Sequence, residues 1–226
     1  MREILLFALL GLGSGALIAG IAVAIVLMYR GSGIINLATG GISMLSGYCF
    51  WSLREGEIAS MGTVPALLVT LVFTLLVGVA MELVAFRPLR NAAPLAKLVA
   101  SLGVLLIAQA SMLLAFGSTQ KPQPSILPSD VVTIFDVNVP VDRFILVGII
   151  IAITIGLVAL YRYTRFGLAT RAASENEVSA LLAGLSANQL SMVNTVLAAL
   201  VAGSIGVLAA SVTQLDTVSL PLQVVP

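Results

Sequence analysis

The polar groups best suited to handling a solute interrupt one otherwise apolar stretch near the N-terminus. Asn36, Thr39, Gly40 and Gly41 lie within the segment Ser32–Leu53. An amide, a hydroxyl and a glycine backbone can hydrogen-bond a passing solute, and such groups face an interior path more readily than lipid. The pattern predicts a translocation pathway. The same small polar residues also suit a tightly packed interior helix that never touches solute.

Other polar side chains within apolar stretches are few. Glu82 lies near the end of one stretch, where the sequence predicts an ion pair with Arg87 or Arg90 at the membrane interface, or alternatively a place on a transport path. Four further polar residues are predicted to form hydrogen bonds between helices rather than to contact a ligand: Gln109, Ser111, Asn194 and Thr195. This pattern predicts no proton relay and no ion site.

Composition argues against most soluble-enzyme chemistry. Of the 226 residues, 59% are hydrophobic and 9% are charged, whereas a typical soluble domain is roughly 25% charged. A net charge of +1 without a basic run gives no footprint for nucleic acid. With Cys49 as its one cysteine and no histidine, the chain lacks the residues for an intrachain disulfide, a zinc site or a histidine base. We expect a lipid-embedded protein that is not an enzyme and holds no cofactor.

About six apolar segments must position these polar groups. Each approaches the ~20 residues with which a helix crosses a ~30 Å hydrocarbon core, where backbone groups must be bonded within their own segment. The sequence therefore predicts an all-α fold, a polytopic transmembrane helix bundle, as a single transmembrane domain over residues 1–226. The predicted spans are Ile4–Tyr29, Ser32–Leu53, Thr63–Phe86, Leu98–Phe116, Phe144–Tyr161 and Leu190–Val212.

Small residues recur at helical spacing in the first and last segments. They include Gly11, Gly15 and Gly20 in the first and Gly203 and Gly206 in the last. Because lipid gives helices no hydrophobic drive to associate, close packing at small residues takes its place. The spacing predicts that these glycines mark contacts between helices.

Positive charge favours one orientation in the membrane. If all six segments cross and the N-terminus is outside, seven of the eleven basic residues are inside: Arg30, Arg87, Arg90, Lys97, Arg162, Arg165 and Arg171. The outer side holds Arg2, Arg54, Lys121 and Arg143. The positive-inside rule favours this arrangement. If the glycine-rich second segment does not cross, the sidedness of the N-terminus reverses.

Two connections are long enough to carry structure of their own. The outer loop, residues 117–143, contains four prolines that oppose a helix, and its run Val131–Phe135 predicts a short strand or hairpin.

The inner loop, residues 162–189, predicts a short helix. Ser174 is its expected N-cap, Glu177 is the capping-box partner, and Gly184 closes the helix. Its apolar face consists of Val178, Leu181, Leu182 and Leu185. Such a helix can dock onto a partner protein.

Two stretches carry a resemblance to a known family. Tyr29–Gly41, with the sequence YRGSGIINLATGG, resembles the signature after the first span of branched-chain amino acid ABC transporter permeases of the LivH type. Arg165–Leu185 resembles the cytoplasmic EAA-like loop of the same family, with Arg171–Ala172 at its start and Ala183–Leu185 at its end. The two stretches occur in the right order and spacing, and the similarity extends over most of the chain.

The resemblance implies a function and a set of partners. It implies a permease subunit in the inner membrane of a bacterium or archaeon, completed by a second permease subunit, ATP-binding subunits and an extracytoplasmic solute-binding protein. It also implies that the inner loop couples to the ATPase through Arg171, Ala172, Glu175, Ala180 and Gly184. The chain has no Gly-x-x-x-x-Gly-Lys-Ser/Thr loop of its own, so the energy of ATP hydrolysis is expected from separate subunits.

The sequence departs from the family in two ways. Family members continue with further membrane helices, whereas this chain stops at Pro221–Pro226, so we expect part of a longer permease. Leu37 and Thr39 stand where the family often has Phe and His, which leaves the solute open between branched-chain amino acids and related small polar molecules. An ion-coupled secondary transporter, a channel subunit and a purely structural membrane subunit are the alternative functions.

Overall fold

The computed structural model describes residues 2–32, 36–55, 59–89, 92–117, 126–127, 130–134 and 137–212. The helices are α1 (Arg2–Ser32), α2 (Ala38–Arg54), α3 (Thr63–Met81), α4 (Pro94–Phe116), α5 (Val141–Tyr163), α6 (Arg165–Glu175), α7 (Glu177–Leu182) and α8 (Ala187–Val212). A π-helical turn, Glu82–Phe86, continues α3. Strands β1 (Val131–Ile134) and β2 (Val137–Pro140) form one antiparallel hairpin, in which Val131 pairs with Pro140. The predicted all-α membrane bundle is confirmed.

Five helices are long and apolar enough to cross a membrane among the described residues. Their apolar spans are Gly11–Arg30, Thr63–Phe86, Pro94–Phe116, Val141–Tyr163 and Asn188–Ala210. α4 starts one turn before the predicted Leu98, because Pro94 suits the first turn of a helix, where its missing N–H would have no partner. Many of their exposed side chains are large and apolar. Leu114 of α4, for example, is 88% exposed.

α2 is the sixth segment, and it is short and enclosed. It begins at Ala38 rather than near Ser32, and all but three of its 17 residues are buried. The Leu37 N–H at its start lies 3.3 Å from Ser101 Oγ near the start of α4. Near its end the Trp51 ring lies 5.9 Å from that of Phe116 at the end of α4. α2 therefore runs beside α4 over the depth of the bundle.

Basic side chains are concentrated at one end of the bundle. The Arg30 guanidinium lies 5.0 Å from the centre of the Tyr161 ring, which places the C-terminal ends of α1 and α5 together. The described residues of this end include Arg30, Arg87, Lys97, Arg162, Arg165 and Arg171, and those of the opposite end include Arg54 and Arg143. Arg90 and Lys121 lie outside the described residues. Following the positive-inside rule, we name the first the inner end and the second the outer end.

α8 occupies the centre and packs against α1, α2 and α3. Its small residues allow this on several sides. A Cβ at Gly206 would overlap the main-chain oxygen of Ser43 on α2, and one at Gly203 would overlap Thr74 on α3. Ser46 Oγ donates to the Gly203 carbonyl at 2.9 Å. The predicted contact role of Gly203 and Gly206 is confirmed.

The glycines of α1 divide into two groups. A Cβ at Gly20 would lie 2.9 Å from Ile205 Cδ1 of α8, so this glycine marks a helix contact as predicted. At Gly11 and Gly15 a Cβ would have no heavy atom within 4 Å. For this pair the predicted contact is wrong among the described residues, because the pair lies on an open side of α1.

Candidate functional site

The predicted pathway residues come together where α2 begins. Asn36 is 2% exposed, and its side-chain oxygen accepts a hydrogen bond from the Ala38 N–H at 2.9 Å. Its main-chain oxygen accepts one from Thr39 Oγ1 at 2.8 Å. Thr39 is fully buried, with Oγ1 also 3.3 Å from Met28 Sδ of α1. Asn36 thus starts α2, because its amide oxygen satisfies a backbone N–H that has no partner within the helix.

The glycine pair lets α4 approach α2 closely. Gly40 and Gly41 are both buried, and a Cβ at Gly41 would lie 3.2 Å from the Ala108 Cβ of α4. All four predicted pathway residues are therefore buried within the bundle, with Thr39 against α1 and Gly41 against α4. A solute would reach them only after one of the neighbouring helices moved. Gly33, Ile34 and Ile35 of the same signature lie outside the described residues.

Glu82 makes no ion pair with Arg87 among the described residues, and Arg90, the other predicted partner, lies outside them. Its buried carboxylate accepts hydrogen bonds from Ser191 Oγ at 2.8 Å and from Thr195 Oγ1 at 2.7 Å, both on α8. These hydroxyls are four residues apart, so they share one face of α8 and each meets one carboxylate oxygen. Glu82 begins the π-helical turn and fastens the end of α3 to α8. The predicted interhelical role of Thr195 is confirmed.

Tyr161 joins four helices at the inner end. Its hydroxyl donates to Asn194 Oδ1 of α8, which confirms the interhelical role predicted for Asn194. Its ring lies under Arg30 of α1 and 5.8 Å from the Phe166 ring of α6. A Cβ at Gly167 of α6 would overlap the main-chain oxygen of Tyr161. The start of α6 is therefore fastened to the ends of α1 and α5 and to α8.

Sequence reasoning missed Tyr161. A tyrosine at the end of an apolar segment is ordinary, because aromatic side chains collect at membrane interfaces. The polar Asn194 one turn into the last segment was the available signal, since a buried amide needs a partner. Nothing in the spacing pointed to Tyr161 as that partner. Ser111 was also misjudged, because its hydroxyl donates to the Ile107 carbonyl of its own helix at 2.6 Å.

We expect Tyr161→Phe to lower the thermal midpoint of the purified protein. The change removes one buried hydrogen bond and leaves the Asn194 oxygen without that donor, at a cost of about 1–3 kcal/mol. Fluorescence-detected size-exclusion chromatography after heating measures the midpoint. Tyr163→Phe is the matched control, because Tyr163 is 78% exposed and its variant should melt like the parent. Equal midpoints for both variants would show that the bond to Asn194 contributes little.

The inner loop forms two helices, and the predicted N-cap at Ser174 is wrong. Ser174 lies inside α6, where its hydroxyl donates to the Arg171 carbonyl at 2.8 Å. Thr164 is the N-cap of α6, and its hydroxyl accepts a hydrogen bond from the Gly167 N–H at 3.3 Å. Asn176 caps α7 by accepting from the Ser179 N–H at 2.9 Å. Asparagine is at least as good an N-cap as serine, so the break comes two residues later than expected. The Glu177 side chain lies outside the described residues.

Gly184 closes α7 as predicted. Its φ of +80° is the left-handed conformation that glycine adopts without a steric penalty. The Gly184 N–H donates to the Leu181 carbonyl at 3.0 Å, and the Leu185 N–H donates to the Ala180 carbonyl at 2.9 Å. These two bonds form a Schellman motif, which fixes the end of the helix.

α6 and α7 present one exposed surface at the inner end. Leu168, Arg171, Ala172 and Glu175 share the exposed face of α6. On α7, Leu181 and Leu182 are 55% and 86% exposed, and Gly184 follows them. We call these seven residues the α6–α7 surface. Four of the five predicted coupling residues belong to it.

The fifth predicted coupling residue, Ala180, and part of the predicted apolar face do not lie on the α6–α7 surface. Ala180 is 3% exposed and packs inward, so its side chain holds α7 in place rather than meeting a partner. Leu185 is half-buried, and the Val178 side chain lies outside the described residues. Exposed leucines beside one arginine and one glutamate, beyond the end of the spans, are typical of a surface that docks onto another protein.

Comparison with known proteins gives a consistent result. Residues 7–224 match the family described as branched-chain amino acid transport system, permease component. The high-affinity branched-chain amino acid transport system permease protein BraD of Pseudomonas aeruginosa is 26% identical over 208 residues, covering 88% of this chain and 68% of the relative. The corresponding permease protein LivH of Escherichia coli is 27% identical over 212 residues, with the same coverage. No solved structure matches the chain.

Proposed function

The chain belongs to the family of permease components of branched-chain amino acid transport systems, and we propose that it is a membrane-spanning subunit of an ATP-binding-cassette importer. The protein is a multi-pass protein of the inner membrane, and its relatives are permeases. In this proposal the transported solute is a branched-chain amino acid or a related small polar molecule. Its partners in this proposal are a second permease subunit, ATP-binding subunits and an extracytoplasmic solute-binding protein.

One observation carries the proposal: the exposed α6–α7 surface is joined directly to the membrane-spanning helices. Leu182 and its neighbours on α7 face outward, while Gly167 and Phe166 of α6 are packed on Tyr161. Tyr161 in turn is bonded to Asn194 of α8. An ATPase subunit that pulled on the α6–α7 surface would therefore move α5 and α8 with it. Arg171, Ala172, Glu175 and Gly184 are the residues we assign to coupling, with Ala180 supporting them from within.

The proposed solute path passes the start of α2. Asn36, Thr39, Gly40 and Gly41 bring an amide, a hydroxyl and glycine backbone together in one buried place, which suits a small polar solute once a neighbouring helix has moved. Gly41 is the contact point with α4, so a shift of α4 away from α2 would uncover this site. Alternating access by rigid movement of packed helices is a common transport device.

Glu82 gives little support to an ion-coupled transporter. Both of its carboxylate oxygens are occupied by hydroxyl donors of α8. A coupling acid is expected to face a water-filled cavity or a partner charge along the path. Glu82 instead links the end of α3 to α8 by hydrogen bonds.

Purification of the assembled transporter tests the proposal. We expect the chain, expressed together with its second permease subunit, ATPase subunits and solute-binding protein, to co-purify with the ATPase subunits and to take up radiolabelled leucine in proteoliposomes only when ATP is enclosed. Uptake should persist in the presence of ionophores. The control replaces the P-loop lysine of the ATPase subunits, which should remove uptake and leave assembly intact. Gradient-driven uptake by the chain alone would establish a secondary transporter, and ATP-independent conductance would establish a channel.

A further inference from the structure

An apolar groove runs between α1 and α5 in the inner half of the bundle. Its volume is about 240 Å³. The apolar wall consists of Ala22, Val23, Val26 and Leu27 of α1 and Leu157 and Val158 of α5. Thr154 also lines the groove, but its hydroxyl already donates to the Ile150 carbonyl at 2.8 Å. The groove therefore offers an occupant almost pure hydrocarbon along its length.

The inner end of the groove carries a fixed cation. Arg30 is the one charged residue among those that line the groove. Its guanidinium lies over the Tyr161 ring at 5.0 Å, and the Tyr161 hydroxyl is bonded to Asn194. The ring thus holds the charge at the mouth of the groove while Arg30 itself remains exposed. An occupant with a long apolar body and an anionic head at its inner end would match this arrangement.

The dimensions fit one leaflet of a bilayer. From Ala22 to Arg30, eight residues at ~1.5 Å each cover about 12 Å along α1. Half of a ~30 Å hydrocarbon core is about 15 Å. The groove therefore extends over most of the depth of one leaflet, as an acyl chain of a phospholipid does.

We propose that the α1–α5 groove binds an anionic phospholipid of the inner leaflet, with an acyl chain along the apolar wall and the phosphate at Arg30. Basic residues at the inner ends of spans attract anionic headgroups, at about 1 kcal/mol for each residue near the surface. This inference is independent of the solute and of the ATPase partners. Its failure would leave the proposed transport function unchanged.

Native mass spectrometry with defined lipids tests the site. The purified full chain is incubated with equal amounts of phosphatidylglycerol and phosphatidylcholine that carry the same acyl chains. We expect about a fivefold preference for phosphatidylglycerol, because this is the ratio that the attraction of one basic residue to an anionic headgroup gives. Arg30→Gln should abolish the preference, whereas Arg30→Lys should keep it, which separates the charge from any effect on folding. Arg87→Gln is the matched control, because Arg87 is exposed at the same end but does not line the groove.

The acyl chain is tested by filling the groove. Val158→Trp should reduce retention of both lipids, whereas Leu114→Trp on the exposed side of α4 should not. Excess inorganic phosphate should leave retention unchanged, because it has no apolar part. The proposal is overturned by an unchanged preference in Arg30→Gln, by displacement with phosphate, or by unchanged retention in Val158→Trp. A disulfide between two copies of the Val158→Cys, Cys49→Ser variant would also overturn it, since a second copy would then cover the groove.

Discussion

Replacing Gly206 by alanine is expected to prevent the protein from accumulating in a folded state. A Cβ at this position would overlap the Ser43 main-chain oxygen and lie 2.6 Å from Ser46 Oγ. Backbone cannot rotate away as a flexible side chain can, so α2 and α8 would have to separate along the centre of the bundle. We expect a loss of about 3 kcal/mol or more, at the upper end of the cost of overpacking. Size-exclusion chromatography and thermal midpoints in detergent measure it.

Gly15→Ala is the matched control for this prediction. It makes the same change inside another membrane helix, but at a position where a Cβ would have no heavy atom within 4 Å. Alanine also forms helix more readily than glycine, so the midpoint of this variant should be unchanged or slightly raised. A Gly206→Ala protein that melted with the parent would show that α2 and α8 can move apart without loss.

The membrane segments could be predicted from the sequence because their signal is local. Burying backbone in lipid requires a helix, and the apolar runs and charged breaks show where each helix lies. Tertiary contacts decided the rest. Gly15 and Gly206 stand in similar small-residue patterns, yet one lies on an open side of α1 and the other touches the backbone of α2. Spacing alone does not tell which side of a helix has a neighbour.

The polar residues of the candidate site could be predicted from the sequence, but their hydrogen-bond partners could not. Asn36 and Thr39 were recognisable as polar interruptions, but their hydrogen bonds start a helix, which the sequence did not indicate. Glu82 was matched with the nearest arginines in the sequence. It bonds instead to two hydroxyls of α8 more than a hundred residues away. A buried carboxylate takes the donors that the fold brings to it, whatever the sequence distance.

These long-range bonds explain how one end of the bundle can act as a unit. Glu82 ties α3 to α8 through Ser191 and Thr195, and Tyr161 ties α5 to α8 through Asn194. The three bonding positions of α8 lie within about two turns of its inner end. A force applied to α6 therefore reaches α5 first, α8 through the Tyr161–Asn194 hydrogen bond, and α3 through α8. On this basis the α6–α7 surface is the place where a single exposed side chain should control transport.

Leu182→Asp is expected to reduce ATP-dependent uptake by the assembled transporter at least tenfold. Leu182 is 86% exposed, so the change leaves the packing of this chain intact. If an ATPase subunit covers the leucine, an unpaired carboxylate must enter that contact, which costs several kcal/mol. Each 1.4 kcal/mol is about a tenfold change in affinity, so the ATPase subunits should also be lost during purification. Uptake of radiolabelled leucine in proteoliposomes and the subunit ratio after purification measure both effects.

Leu95→Asp is the matched control, because it introduces the same carboxylate at the same end of the bundle. Leu95 is 73% exposed in the first turn of α4, where an acidic residue favours the helix dipole. This variant should assemble and transport like the parent. Equal loss in both variants would mean that any inner-end carboxylate disturbs the transporter. Full uptake and a normal subunit ratio in Leu182→Asp would show that α7 does not contact the ATPase subunit. An unpaired charge buried in that contact would weaken binding.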